Sequence, residues 1–293
     1  MLLRSLADTY NALAFYGGLA PKDAIRQGKE AAKKALELDD SLAEAHTALA
    51  SFAFDFDWDW ATAEKEYQSA IQSNPGYATA HQGYATYLTL LGRLDEGLKE
   101  YERAQDLDPL SLVITADITS YYYYSRQYDK AIDQCKQALE LDPDFALAHL
   151  WCGRAYLQKR MYPEAMVSFQ RAAELQPESP LMKGLLGHAY AVTGERAKAE
   201  QVLNELKQRY QQGYASPALI SLIYWALGDR IQSRAWGDRA YNDRDVLLTR
   251  LKMDPGLDGL RADPLFFDLL ERLGFRTSTA LESAKKKGRP TPK

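Results

Sequence analysis

Apolar and small residues recur along this chain at helical spacing, and the pattern repeats with a fixed period. In FALAHLWCGRAYLQKRMYPEAMVSFQRAAELQP, Cys152, Gly153 and Tyr156 form one stripe at i, i+1 and i+4, with His149 a turn earlier. Ala165, Phe169 and Ala172 form a second stripe at steps of four and three. Residues three or four apart share a helix face, so the two stripes predict a helical hairpin packed stripe to stripe. Gly153, Ala165 and Ala172 are small enough to let the two helices approach closely.

The period is 34 residues. Pro75, Pro109, Pro143 and Pro177 keep it, and so do Tyr122, Tyr156, Tyr190 and Tyr224. Ala104, Ala138 and Ala172 share the interval, as do Gly194 and Gly228, while Gly92 stands three periods before Gly194. Repeats of this length mean stacked hairpins rather than a single closed core. They fall near 9–42, 43–77, 78–111, 112–145, 146–179, 180–213 and 214–247, the first being the weakest because Gly17, Gly18 and Pro21 break its period. Leu-Asp-Pro at 107–109 and at 141–143 separates successive hairpins. There the aspartate is expected to cap the coming helix and the proline to sit where a helical N–H has no partner. After the last hairpin, Asp263-Pro264 reads as a helix start and Gly274-Phe275 as a left-handed helix end. Residues 248–276 are therefore expected to cover the array's last apolar face.

This spacing resembles the tetratricopeptide repeat. Gly153, Tyr156, Ala165, Phe169, Ala172 and Pro177 meet its signature, as do Gly187, Tyr190, Gly194 and Ala199, and again Gly92, Tyr101, Ala104 and Pro109. The signature tryptophan is absent, its place held by His46, His81 and His149. The resemblance implies an all-α, right-handed superhelical α-solenoid of about seven helix-turn-helix hairpins with a C-terminal helical cap, over residues 1–276. It also implies a non-catalytic scaffold that takes a peptide or helix of a protein partner in its concave groove, with self-association left open. The DWDW element and the chain's ending look like repeat blocks of bacterial signalling proteins. Some relatives clamp a chaperone's C-terminal carboxylates with lysines and asparagines. Here those places hold Gln82, Thr86 and Leu90, then Ala116, Ser120 and Tyr124, so that partner class is not expected.

The contact surface is expected around SYYYYSRQY. Four consecutive helical residues sweep about 300°, so they cannot all face one core. The period assigns Tyr122 to the packing stripe and turns Tyr123 and Tyr124 toward the groove. Thr86, Leu90, Arg154, Leu157, Gln158, His188 and Trp225 fall in the same row. Tyrosine and tryptophan join rigid apolar area to a hydrogen-bonding group, which suits binding hot spots. The competing reading is that these side chains only pack across the groove. On the first reading, truncating Tyr123 costs much less stability than truncating Tyr156.

Composition adds limits. Of the 293 residues, 46% are hydrophobic and 26% charged, an ordinary globular balance, and no apolar run is long enough to span a bilayer. Net charge is −4, yet Lys285, Lys286, Lys287, Arg289 and Lys293 crowd the end, leaving the rest more acidic and a poor general nucleic-acid surface. Residues 277–293 read as a disordered basic tail. Its Gly288-Arg289-Pro290 is loosely similar to an AT-hook, although Lys287 replaces the first arginine, which leaves a nucleic-acid-associated regulator as the alternative function. Cys135 and Cys152 lie on packing stripes of adjacent hairpins. They are expected to be buried inert thiols in a reducing cytoplasm, with a disulfide conceivable but not indicated.

One stretch invites a metal. In DFDWDWATAEKE, Asp55, Asp57, Asp59 and Glu66 stand at the intervals of a calcium loop. Such a loop needs glycine at its sixth place, where this chain has Trp60. The period instead makes Asp57–Trp60 a turn one residue longer than in the other hairpins, with Asp59 capping the next helix. Equivalent histidines lie about 10 Å apart in stacked hairpins, too far to share an ion. No cofactor, metal or catalytic residue is expected, since no phosphate loop, His-Glu-x-x-His or Gly-x-Ser-x-Gly occurs.

Overall fold

The computed structural model describes residues 21–212 and 215–275, and over these it is all-α. Gly17, Gly18 and the start of the first hairpin lie outside the described residues, as does the basic tail with Lys285, Lys286, Lys287, Arg289 and Lys293. Helix α1 (Pro21–Leu38) precedes six full hairpins. These are α2 (Ala43–Phe52) with α3 (Trp60–Ser73), α4 (Ala78–Leu90) with α5 (Leu94–Leu107), and α6 (Leu112–Tyr124) with α7 (Tyr128–Leu141). Then come α8 (Ala146–Gln158) with α9 (Tyr162–Leu175), α10 (Pro180–Val192) with α11 (Arg196–Gln212), and α12 (Pro217–Ala226) with α13 (Arg230–Asn242).

The repeated prolines act one residue upstream of themselves. A residue before proline is pushed out of the helical region. Accordingly Asn74, Asp108 and Asp142 close α3, α5 and α7 with φ of −142°, −140° and −142°. Asp108 and Asp142 thus end one helix instead of capping the next, contrary to expectation. Capping falls to Ser111, Ser179 and Ser216, whose hydroxyls accept from the N–H groups of Ile114, Met182 and Leu219.

Inside each hairpin the chain reverses at a left-handed residue, again in step with the period. Trp58, Gly92, Arg126, Arg160, Gly194 and Gly228 take φ of 56°, 84°, 63°, 59°, 86° and 85°. The extra residue of the DWDW hairpin lies in its first helix rather than in its turn. There Ala53–Asp57 form a π-helical turn, which absorbs one residue and leaves the left-handed position in register. Asp59 caps α3, accepting from Thr62 N–H at 3.1 Å. The four carboxylates at calcium-loop intervals face separate partners: Asp55 toward Arg250, Asp57 to Lys29, Asp59 to Thr62 and Glu66 to His46. His46 and His81 are struts. Their Nδ1 atoms meet Glu66 and Glu100 at 2.6 Å, and their Nε2 atoms meet the carbonyls of Asp40 and Pro75.

First helices of most successive hairpins pack on one another and form the inner wall, each backed by its own second helix, while α10 meets the preceding hairpin mainly through α9. Close approach needs Gly153, where a Cβ would stand 3.1 Å from the Phe169 ring. Between α7 and α8 the structure corrects the cysteine reading: Cys135 and Cys152 are joined in a disulfide. Both side chains are fully buried, and the expectation of two inert thiols in a reducing compartment loses its basis. The bond closes a loop of 17 residues, so removing it through Cys135→Ala with Cys152→Ala is expected to cost about 3 kcal/mol. Denaturant melts of the oxidised protein and the double variant measure that cost.

The C-terminal segment departs most from expectation. It runs as a 3₁₀ turn (Val246–Lys252), a second (Pro255–Leu257), α14 (Asp258–Ala262), a third 3₁₀ turn (Pro264–Phe266) and α15 (Phe267–Arg272). Its far part covers the last hairpin, with Phe266 edge-on to Trp225 at 5.6 Å and Asp268 paired with Arg234. Its near part, residues 246–262, crosses the inner wall instead of staying at the end. Val246 joins the cluster of Phe52 and Phe56, and Lys252 Nζ donates to the Leu91 carbonyl at 2.8 Å. The two ends of the array also meet: Trp58 packs on Tyr241 at 4.9 Å, and Trp60 stacks on Phe275 at 5.6 Å. A curved wall of apolar first helices needs a cover, and Leu247, Leu248, Leu251 and Leu257 supply it.

Candidate functional site

The inner wall and the strap across it, residues 246–262, form one site. Tyr123 on α6 is 2% exposed, and its hydroxyl donates to Asp254 Oδ1 at 2.9 Å. Arg154 on α8, the first helix of the next hairpin, pairs with the other Asp254 oxygen. Its guanidinium lies 4.5 Å from the Tyr123 ring centre and 4.9 Å from that of Trp151. Asp254 also accepts from Gly256 N–H at 2.9 Å, so one carboxylate ties the strap's turn to two wall helices. At the rim Arg126 makes a two-pronged pair with Asp258 at 2.7 Å on each arm. Forked guanidinium–carboxylate pairs fix orientation as well as position.

Most of the row read from the sequence gathers here. Thr86, Leu90, Tyr124 and Arg154 line a shared cavity beneath the strap, and Leu157, Gln158 and His188 line a smaller space beside Gly256. Tyr124 lies edge-on to Trp151 at 5.7 Å. Burial holds the His188 imidazole down at about 4, so it is neutral at pH 7. Trp225 stands apart from this group, packed against Phe266 of the cap. Tyr122, assigned to the packing stripe, is only half-buried, whereas Tyr121, Tyr123 and Tyr124 are buried.

Other residues of the site were not legible beforehand. Asp254 and Arg250 belong to a segment read as an end cap, and their wall partners lie a hundred residues or more away. Trp151 is not singled out by the repeat pattern, which marks its neighbours Cys152 and Gly153 instead. Asp117 did carry a signal: it is the one acidic residue between Asp108 and Asp129, in the middle of an otherwise uncharged helix. It accepts from Gln82 Nε2 at 2.7 Å, and burial pushes its carboxyl up to about 6 against the pull of Arg250. Asp55, on the π turn, is likewise raised to about 6 by burial, with Arg250 Nη1 at 3.7 Å.

These shifts predict an unusual pH dependence. A carboxyl whose pKa is about 6 when folded and 3.8 ordinarily favours the folded state most below pH 3.8. That contribution fades as the pH rises through about 6. Asp117→Asn removes the penalty of an ionised buried carboxylate while keeping an acceptor for Gln82. Its stability relative to the unaltered protein should rise by on the order of 2 kcal/mol from pH 4.5 to 7.5, read from urea midpoints at the two values.

A tetratricopeptide repeat profile matches residues 59–111 and 120–180, and a second matches 158–219, together just over half of the chain. The chain belongs to the tetratricopeptide repeat family. Solved structures agree on the fold of this tetratricopeptide protein. A tetratricopeptide repeat protein from Parabacteroides merdae is 15% identical, covering 85% of this chain and 98% of its own, with a TM-score of 0.55. PilW, a type IV pilus biogenesis factor, is 17% identical over 74% of this chain and 97% of its own, at 0.52. Human IFIT1, in a dimer with m7Gppp-AAAA, is 20% identical over 85% of this chain at 0.60, but the match spans only 60% of IFIT1. Such identities speak for the fold alone. No curated protein sequence matches the chain. Among the described residues no helix is long and apolar enough to cross a membrane.

Proposed function

We propose that this tetratricopeptide protein is a non-catalytic interaction scaffold whose inner wall grips a partner polypeptide, and that residues 246–262 occupy the wall until the partner displaces them. The observation that carries this reading is the strap itself. The wall already holds a polypeptide of mostly non-α-helical backbone, anchored at the Leu91 carbonyl, at Tyr123 with Arg154, and at Arg126. A wall shaped by stacked rigid hairpins loses little freedom on binding, so most of the contact energy serves affinity. A partner segment with leucines around an aspartate would reuse the strap's own anchors.

The partner is found by capture from a native lysate with three baits: the unaltered chain, Asp254→Ala, and Asp254→Ala with Arg154→Ala. Loosening the strap should increase recovery of one protein severalfold, and adding Arg154→Ala should abolish that gain. Equal recovery by all three baits argues against the wall as the contact surface. The disulfide suits an oxidising compartment better than the cytoplasm expected from cysteine count. Trapping free thiols in freshly opened cells tests this: no labelling of Cys135 and Cys152 before reduction is the expected result, and full labelling the opposing one.

A further inference from the structure

The wall and strap enclose a cavity of about 290 Å³, close to the lower end of small-molecule pockets at roughly 300 Å³. Its apolar sides come from Leu90, Leu150, Leu185, Leu219, Leu251 and Phe266. Polar groups gather on the α4, α6 and α8 side, and nearly all are already engaged. The Thr86 hydroxyl meets Tyr101 Oη at 2.8 Å, and Ser120 Oγ donates to the Asp117 carbonyl at 2.8 Å. Arg154 is matched by Asp254, and Arg250 stands 3.7 Å from Asp55.

Asp117 is the remainder. Its carboxylate lines the cavity and accepts a hydrogen bond from Gln82, but among the described residues no cation stands within ion-pair distance of it. Arg154 is taken up by Asp254, while Arg250 is shared between Asp55 and the more distant Asp117, so Asp117 faces the apolar space with no salt-bridge partner of its own among the described residues. A half-buried carboxylate with no ion-pair partner of its own is costly and is relieved by a cation that fits. We propose that this cavity is a binding site for a small amphiphilic amine, with its apolar body among the leucines and its ammonium group on Asp117. An acid of the same shape would set its carboxylate against Asp117, and a neutral alcohol would leave the charge unmatched. The site is therefore selective by head group, and its tail requirement is set by volume.

Three probes with one tail separate these cases: octylamine, octanol and octanoate, each titrated into the full chain by calorimetry and followed by melting shift. Octylamine should bind saturably at one site and raise the melting temperature. Octanol should bind about tenfold more weakly, the scale of one charge-assisted hydrogen bond, and octanoate more weakly still. Asp117→Asn should bind octylamine and octanol alike, with the retained octanol binding proving the cavity intact. Leu185→Trp, which fills the space, should remove both. The proposal is overturned if octanoate equals or exceeds octylamine, if Asp117→Asn keeps the amine preference, or if no probe binds the unaltered protein.

Discussion

Asp254→Ala should cost about 3–5 kcal/mol of folding stability, the scale for removing one partner of a buried ion pair. The change strands the Arg154 guanidinium between Tyr123 and Trp151 with its charge uncompensated, and it leaves the Tyr123 hydroxyl without an acceptor. It also deletes the side chain that accepts from Gly256 N–H and shapes the strap's turn. Chemical denaturation gives the size of the loss. Hydrogen exchange locates it: amides of residues 246–262 should lose protection first, while those of α8 and α9 stay slow. A paired change, Asp254→Leu with Arg154→Met, should recover part of the stability, because it removes both charges and keeps the volume. A loss below about 1 kcal/mol, the range of exposed pairs, would mean that the pair is solvated and the strap is not held there.

Tyr123→Ala should be nearly as damaging, at about 3–5 kcal/mol for truncating a buried large aromatic. Tyr123→Phe keeps the ring and should cost about 1 kcal/mol, the net value of the hydrogen bond to Asp254. Tyr156 is only partly buried, so Tyr156→Ala should melt above Tyr123→Ala. This reverses the order that follows from the repeat register alone. Had Tyr123 faced an open groove, its truncation would have been mild. The ring is buried because the strap lies over it, and a register count along the hairpins cannot contain that contact.

The parts of the fold legible in the sequence are those fixed by contacts close in sequence. Pro75, Pro109, Pro143 and Pro177 mark helix ends because a proline constrains its immediate neighbour. Cys152, Gly153 and Tyr156 mark a helix face because three- and four-residue steps do so locally. The six left-handed turn residues also keep the period, but only Gly92, Gly194 and Gly228 advertise it. Trp58, Arg126 and Arg160 take the same backbone without a glycine to signal it. Of the candidate site, the first-helix row could be read in advance, because every hairpin presents the same helix inward. The strap could not. Its partners are set by the curvature summed over the whole array, which brings Tyr241 beside Trp58 and Asp254 beside Tyr123. The disulfide was hidden for a related reason: two cysteines on neighbouring stripes mark proximity, not bonding.

The central idea is that the inner wall grips polypeptide and that the chain's own strap is its present occupant. Its most direct measurement is the affinity of a synthetic peptide of residues 246–262 for three proteins: the unaltered chain, Asp254→Ala, and Asp254→Ala with Arg154→Ala. A tethered strap competes at high effective concentration, so the peptide should bind Asp254→Ala at least about tenfold more tightly than the unaltered chain and should lose that gain in the double variant. Equal affinity for all three, or no binding to Asp254→Ala, would contradict it.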